Sequence, residues 1–278
     1  MLKLRNWRCG ERLVVLASVV PARDICLVFV EAVHRSVPVR SFDLKRSNNV
    51  KKVTAALVAL TLLGTVPAFA QDGRMNFFIT SAGPGDGANL GGLEGADQQC
   101  ADLAYAAGLG NDLLWRAYLS TIARNGMSAV HARDRIGGGP WYNYAGVMIA
   151  RDVTDLHSED VNLTKETQMK ERGSIVNGRG DSPNMHDILT GSNLDGTSYE
   201  GGEGYTACDN WTSNSEGSTR VGHHDRQGGG ENPNSWNSAH NSSGCSQQNL
   251  QATGGNGFYY CFGLENELLG VEPKLPRE

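Results

Sequence analysis

Apolar residues recur with two different periods along this chain. Between residues 93 and 108, Ala96, Cys100, Leu103 and Ala107 follow one another at intervals of four, three and four, the spacing of one helical face. Shorter aromatic and apolar runs bounded by Gly, Pro and Ser are typical of strands. We predict strands at 75–81, 114–121, 147–150, 187–190, 206–212 and 258–262, and one short helix within 152–169.

The region 205–263 has no long period of either kind. Between its two aromatic runs it is rich in Gly, Asn and Ser, and such a segment cannot bury an apolar face of its own. Cys208, Cys245 and Cys261 lie here, and Cys100 lies far upstream. Four cysteines allow three pairings, and two disulfides are the predicted means of holding the loop. The predicted fold class is α+β, with short antiparallel strands, one or two helices and a long loop region.

A segment near the N-terminus has the pattern of an export signal. The basic stretch 45–52 precedes an apolar run at 53–63 that is too short to span a bilayer, and a small-residue exit (PAFA) follows. We expect residues 45–70 to be a signal peptide that is removed after Ala70. Residues 1–44 are then a start-site artefact, an unusually long leader or an uncleaved anchor.

Residues 71–278 are expected to form one domain, with its core at about 75–263 and a short acidic tail. No stable membrane span is expected in it. The expected location is secreted, periplasmic or at the cell surface, where an even set of cysteines is oxidised to disulfides.

Removal of the leader would make the protein strongly acidic. The chain has 25 basic and 30 acidic residues; residues 1–70 hold 11 and 4 of them, so 14 and 26 remain, a formal net charge of −12. This charge disfavours nucleic acid, anionic lipid and sulfated polysaccharide as partners. The sequence contains no P-loop, HExxH or other recognised catalytic motif, so we expect a protein that is not an enzyme.

The region 92–120 carries motifs that resemble endostatin-like domains. A G-x-x-G-A-D-x-x-C opening is followed by a Gly-Leu turn and an R-A-Y-L-S strand. Later C-x-x-W-T-S, S-W-N-S-A-H, G-C-S and Y-Y-C-F segments are similar to exported bacterial lectin-like domains, and both types share the C-type-lectin-like fold. The resemblance covers about 77–263. Its first set of matching residues is Gly92, Gly95, Ala96, Asp97, Cys100, Gly108, Leu109, Arg116, Ala117, Tyr118, Leu119 and Ser120.

The resemblance implies a C-type-lectin-like (endostatin-like) fold with two nested disulfides, Cys100–Cys261 and Cys208–Cys245. Loop-closure entropy agrees with this nesting. Disulfides that close loops of 161 and 37 residues would stabilise the folded state by roughly 5 and 4 kcal/mol, because they restrict the unfolded chain. The resemblance also implies an exported module that binds carbohydrate or another cell-surface ligand noncatalytically. The alternatives are an adhesion or protein-interaction domain that binds no sugar, and an unrecognised hydrolase. Endostatin's heparin and zinc sites are not expected here, because this domain is acidic and its mature start lacks histidine.

The segment 231–237 (ENPNSWN) is the candidate binding site. Sugar-binding C-type lectins place E-P-N and W-N-D tripeptides in this late region, where carboxylate and amide oxygens bind calcium and sugar hydroxyls. Here Ser238 replaces the acid, so we expect weak calcium binding or none. The alternative is a polar loop in which the tryptophan packs inward and the asparagines form turns. The predicted ligand-binding residues are Glu231, Asn232, Asn234, Trp236 and Asn237.

Two other groups have functional residue types. His223, His224 and Asp225, together with Asp209, are metal-ligand types, but adjacent histidines on a strand point to opposite faces and cannot easily share one ion. Exposed polar strand residues are therefore the expected interpretation. The tripeptide at 179–181 (RGD) matches an adhesion motif, although three residues in a Gly-rich loop readily arise by chance.

Overall fold

The computed structural model divides the chain into two units, Met1–Gly64 and Thr65–Glu278. Of the first unit it describes two short strands, β1 (Trp7–Arg8) and β2 (Leu13–Val14), which pair antiparallel. Of the second unit it describes residues 75–109, 112–202 and 204–265. The predicted signal peptide, its cleavage point and the predicted tail beyond residue 265 lie outside the described residues.

The second unit confirms the predicted α+β class. It combines short strands with few helices, and no helix among its described residues is long and apolar enough to cross a membrane. Its elements in chain order are β3 (Phe77–Ile79), α1 (Gly92–Ala106), β4 (Leu113–Ala117), a 3-10 turn (Ala132–Asp134), β5 (Trp141–Tyr142), β6 (Met148–Ala150), α2 (Val153–Leu156), β7 (Asp187–Leu189), α3 (Ala207–Trp211), β8 (Arg220–His223), β9 (His240–Asn241), α4 (Gln247–Thr253) and β10 (Gly255–Glu265).

Three strands pair directly with β10. It pairs antiparallel with β3 and with β4, so that Cys261 has Phe78 on one side and Ala117 on the other. Its first residues pair parallel with β7, where Gly255 lies opposite Asp187. β7 pairs with β8 and β8 with β9, both antiparallel, which completes a six-stranded sheet. The parallel pair departs from the predicted antiparallel arrangement, and the long connection that contains β8, β9 and α4 allows it.

Successive residues of β10 face two separate cores. Tyr259 and Cys261 enter a core that also contains α1 and both disulfides, whereas Phe258, Tyr260 and Phe262 enter a core rich in aromatic rings. Both faces of the sheet are therefore covered. This explains why the run is continuously apolar instead of alternating with polar residues.

The predicted helix is confirmed as α1, with one change in its buried face. Ala96 and Cys100 are fully buried as predicted, whereas Leu103 and Ala107 are only partly buried. Asp97 and Ala104 complete the buried face. The spacing of apolar residues therefore locates the helix correctly, but packing against the rest of the domain decides which of its residues are buried.

Both predicted disulfides are confirmed. Cys100–Cys261 joins α1 to the centre of β10, and Cys208–Cys245 joins α3 to the segment before α4, each with a Cα–Cα distance of 5.6 Å. The second bond closes the loop region that offers no apolar face of its own.

The predicted strand at 206–212 is wrong. The structure has α3 there, and Ala207 to Trp211 all have positive φ angles between 48° and 72°. A left-handed turn costs non-glycine residues about 1–2 kcal/mol each, so tertiary contacts must hold it. The disulfide at Cys208 and a 2.8 Å hydrogen bond from the Trp211 indole Nε1 to the Ser120 carbonyl are two such contacts.

A buried carboxylate fastens α1 to β4. Asp97 accepts hydrogen bonds of 2.8 Å from Arg116, from Arg135 and from the backbone amide of Ala117. The side chains of Asp97 and Arg135 are only 10% and 12% exposed. Because water hydrates these two charges poorly, each depends on the other for neutralisation.

Replacing Asp97 by Asn should destabilise the protein by about 3 kcal/mol, because Arg135 would keep a poorly hydrated charge without its partner. Urea unfolding with the disulfides intact measures the change. Asp102→Asn is the matched control, since Asp102 lies on the exposed side of α1 and accepts from Gln98. Equal unfolding midpoints for the two variants would contradict the prediction.

Candidate metal centre

The predicted binding loop is only partly available at the surface. Glu231 and Asn234 are exposed, but the Glu231 carboxylate accepts a 2.7 Å hydrogen bond from Arg220. Asn232 is half-buried and its Nδ2 donates to the Ser238 carbonyl at 2.9 Å. The loop therefore uses much of its polarity to hold its own shape.

Trp236 and Asn237, two of the predicted ligand-binding residues, are buried. The Trp236 side chain packs between Tyr118 and Tyr260, with ring centroids 4.9 and 5.1 Å away. The Asn237 amide donates to the Tyr118 hydroxyl at 3.0 Å. The inward tryptophan of the alternative interpretation is what the structure has, because the aromatic core provides its partners.

The oxygen atoms expected to bind calcium do not converge on one point. The Asn237 Oδ1 accepts from the Ser235 hydroxyl at 3.0 Å, inside the loop, while the Glu231 carboxylate faces Arg220. Calcium needs six or more oxygen ligands around one centre. The geometry of this loop therefore gives the calcium expectation no support.

The structure instead brings together a group that we name the His–Asp cluster: His186, Asp187, His223 and His240. His186 precedes β7, Asp187 begins it, His223 ends β8 and His240 begins β9. Asp187 and His223 are direct cross-strand partners, and β9 follows β8 with His240 opposite Val221. Three neighbouring strands thus place these side chains at one end of the sheet.

Three imidazoles surround one carboxylate oxygen. The Oδ1 atom of Asp187 lies 3.3 Å from Nε2 of His186, 3.4 Å from Nε2 of His223 and 3.5 Å from Nε2 of His240. The donor atoms of His186, Asp187 and His223 all lie within 4.8 Å of one another. His186, Asp187 and His223 are 6%, 2% and 1% exposed, whereas His240 is 24% exposed.

The converging atoms lack ordinary hydrogen bonds. Within the described residues, both oxygens of Asp187 and Nε2 of His223 have no hydrogen-bond partner. Burying an unpaired carboxylate is costly, and buried polar atoms nearly always have partners. Because these unpaired atoms lie together and are of metal-ligating types, the cluster is a candidate metal site.

The opposite nitrogen of each ring is held by an acceptor. Nδ1 lies 3.3 Å from a carboxylate oxygen of Asp225 in His186, 2.7 Å from the Pro233 carbonyl in His223 and 3.0 Å from the Asn241 carbonyl in His240. Because a carbonyl oxygen can only accept, His223 and His240 carry a proton on Nδ1. Protein metal ligands commonly have this outer arrangement, which leaves the Nε2 lone pair free for the ion.

The pKa values of the residues in and around the cluster are shifted in different directions. Burial lowers the pKa of His223, which favours its neutral, metal-binding form. The Asp187 carboxylate raises the pKa of His240. Burial by itself would raise the pKa of Asp225, but hydrogen bonds from His186 and from two backbone amides outweigh it and hold that pKa well below its usual range. Asp225 therefore stays ionised behind His186.

His186 and His223 stack on each other with centroids 4.3 Å apart and ring planes within 6°. Two imidazolium ions would repel strongly at this distance, so at least one ring is neutral. Imidazole lone pairs lie in the ring plane, and an ion shared by both rings requires one of them to tilt.

A pocket of about 450 Å³ opens beside the cluster. Its wall includes all three histidines of the cluster, whereas Asp187 does not line it. The remaining lining residues are Arg179, Asn184, Gly229, Gly230 and Thr253.

Two glycines leave room for the imidazole rings. A Cβ on Gly228 would lie 2.2 Å from Cε1 of His223, and a Cβ on Gly254 would lie 3.0 Å from Cδ2 of His186. The main chain therefore passes over both rings at a distance that larger residues do not permit.

The expectation of exposed polar strand residues at 223–225 is wrong, because His223, His224 and Asp225 are all buried. His223 belongs to the cluster, while the His224 Nε2 lies 3.1 Å from the Asn177 carbonyl, so adjacent histidines do separate as predicted. Asp209 is exposed and pairs with Arg124. His186, Asp187 and His240 were missed; the only local signal is that His-Asp and His-His-Asp segments both border short strands.

Comparison with known proteins adds no assignment. No protein-family model matches the chain, and no curated protein matches it. The geometry of the His–Asp cluster is therefore the basis on which a function can be argued.

Proposed function

We propose that this protein is an exported binding module that holds a divalent transition-metal ion at His186, Asp187 and His223. One observation carries the proposal: three imidazole Nε2 atoms lie 3.3–3.5 Å from a buried Asp187 oxygen that has no hydrogen bond. A cation between these atoms would neutralise the carboxylate and use the nitrogen lone pairs at once.

The donor types and spacings favour zinc. Ligand atoms about 2.0–2.2 Å from a tetrahedral zinc ion lie roughly 3.3–3.6 Å from one another, which is the separation found around Asp187 Oδ1. Nitrogen donors disfavour calcium and magnesium. Two histidines and one carboxylate also suit ferrous iron, so iron is the main competitor.

A proton provides the competing explanation. His240 has a raised pKa, and its charged form would pair with Asp187 without any metal. The two explanations differ in a measurable way, because only the first predicts stoichiometric metal binding that requires His223.

The fold that we propose is C-type-lectin-like and endostatin-like. The nested disulfides, the link from α1 to the last strand and the long loop closed by Cys208–Cys245 support it. Two disulfides are also compatible with the secreted or periplasmic location that we propose.

A second candidate function is noncatalytic recognition of a glycan or another cell-surface ligand by the loop. The observation that favours it is that Glu231 and Asn234 remain exposed on a segment whose base is fixed by a disulfide. Rigid scaffolds commonly present binding residues on such loops. An adhesion or protein-interaction domain that binds no sugar is the alternative for the same surface.

Zinc should bind with one ion per protein molecule, and His223→Gln should weaken it at least a hundredfold, because a directly ligating nitrogen is lost. Isothermal titration of metal-stripped protein measures both. His131→Gln is the control, since His131 lies outside the cluster and contacts the Ser198 amide. Absence of binding to the parent, or equal affinity in the His223 variant, would leave the proton explanation standing.

Gly228→Ala should impair zinc binding by tenfold or more, because the added methyl group would displace the His223 ring. Gly229→Ala is a matched control one residue away, where a Cβ meets no atom within 4 Å. Circular dichroism and thermal unfolding should show that both variants fold. Equal zinc affinities would show that the ring position does not matter.

The loop candidate predicts that Glu231→Ala with Asn234→Ala removes binding of a glycan found on an array. Because Glu231 also pairs with Arg220, the variant must keep its melting temperature. Asp181→Ala with Asn214→Ala, at other exposed positions, serves as the control pair. Unchanged glycan affinity would place that site elsewhere.

A further inference from the structure

We propose that the pocket beside the His–Asp cluster binds the carboxylate of a small hydroxylated acid. One carboxylate oxygen would bind the metal ion, and the other would accept hydrogen bonds from the Arg179 side chain. This inference rests on the proposed metal site and adds its ligand. It explains why an arginine lines the same pocket as three histidines.

The ion would keep an open side toward the pocket. Asp187, His186 and His223 are at most 6% exposed, and the Asp187 carboxylate does not line the pocket although the histidine rings do. An ion held by three protein donors retains a coordination position for water or a ligand. Here that position faces the space of about 450 Å³.

Arg179 provides a cation that no described carboxylate neutralises. Its neighbour Asp181 pairs with Lys165 at 2.5 Å. In the part of the chain that the structure describes, no carboxylate forms an ion pair with the Arg179 guanidinium. The guanidinium forms strong charge-assisted hydrogen bonds with carboxylates, so the carboxylate oxygen that does not bind the ion is a suitable acceptor.

One buried carboxylate positions both contacts. The Oδ1 atom of Asp225 lies 3.3 Å from Nδ1 of His186, and its Oδ2 accepts a 2.5 Å hydrogen bond from the Arg179 backbone amide. Asp225 thereby fixes the origin of the arginine side chain relative to a metal-binding ring. The backbone from which the Arg179 side chain extends is therefore held close to the His186 ring.

Charge and size narrow the class of ligand. A divalent ion with Arg179 outweighs the two carboxylates of Asp187 and Asp225, so a local excess of positive charge remains and attracts a small anion. The strongly acidic domain around it repels polyanions. The pocket has the volume of a small-molecule site, roughly 300–1,000 Å³. Its other lining groups, Asn184, Thr253 and the backbone of Gly229 and Gly230, are neutral, and the two side chains are polar, which suits hydroxyl groups.

Cobalt provides a direct readout. The purified protein is stripped, loaded with Co²⁺, and titrated with glucuronate while the visible spectrum of the bound ion is recorded. We expect a saturable spectral change with glucuronate and none with glucose. Arg179→Gln should weaken glucuronate at least tenfold and leave Co²⁺ affinity unchanged. Arg124→Gln is the control, because Arg124 pairs with Asp209 away from the pocket.

The outcomes separate the two proposals. Failure of the parent protein to bind Co²⁺ overturns the metal site itself. Binding of Co²⁺ without a glucuronate response, or equal glucuronate affinity in Arg179→Gln, overturns this inference and leaves the metal site in place. Stronger responses to phosphate or sulfate than to glucuronate would show that the carboxylate class is wrong. Acetate binding as tightly as glucuronate would overturn the role of the hydroxyl groups.

Discussion

The pairing of β10 with three strands at once is the constraint on which the remaining structure depends. Its centre pairs with β3 and β4 and its start pairs in parallel with β7. Cys261 fastens this strand to α1, and Tyr260 donates a 2.9 Å hydrogen bond to the Trp236 carbonyl. One strand therefore joins both cores, the helix and the base of the late loop.

The same strand fixes the position of the His–Asp cluster. Gly255 at the start of β10 lies opposite Asp187, and the Asp187 amide donates to the Gly254 carbonyl at 3.0 Å. β8 and β9 then continue the sheet outward and add His223 and His240. The end of a rigid sheet positions side chains more precisely than a loop does. The mouth of the pocket beside the cluster is formed by the adjoining turns.

The His–Asp cluster differs from the other buried carboxylate described above. The charge of the buried Asp97 is neutralised by two arginines. Around Asp187 a carboxylate and two stacked imidazoles are instead left facing one another. Proteins tolerate such local conflict chiefly at functional sites, where binding relieves it.

The sequence by itself determined the α+β class, the helix around Cys100 and most of the strands, because period and aromatic runs are local properties. With the family resemblance it also determined both disulfide pairs. Only the tertiary structure decided that Trp236 lies in the core, that Cys208 lies in a left-handed turn and that Asp187 meets three histidines. These depend on strand register and long-range contacts, which join residues whose separation along the chain carries no pattern.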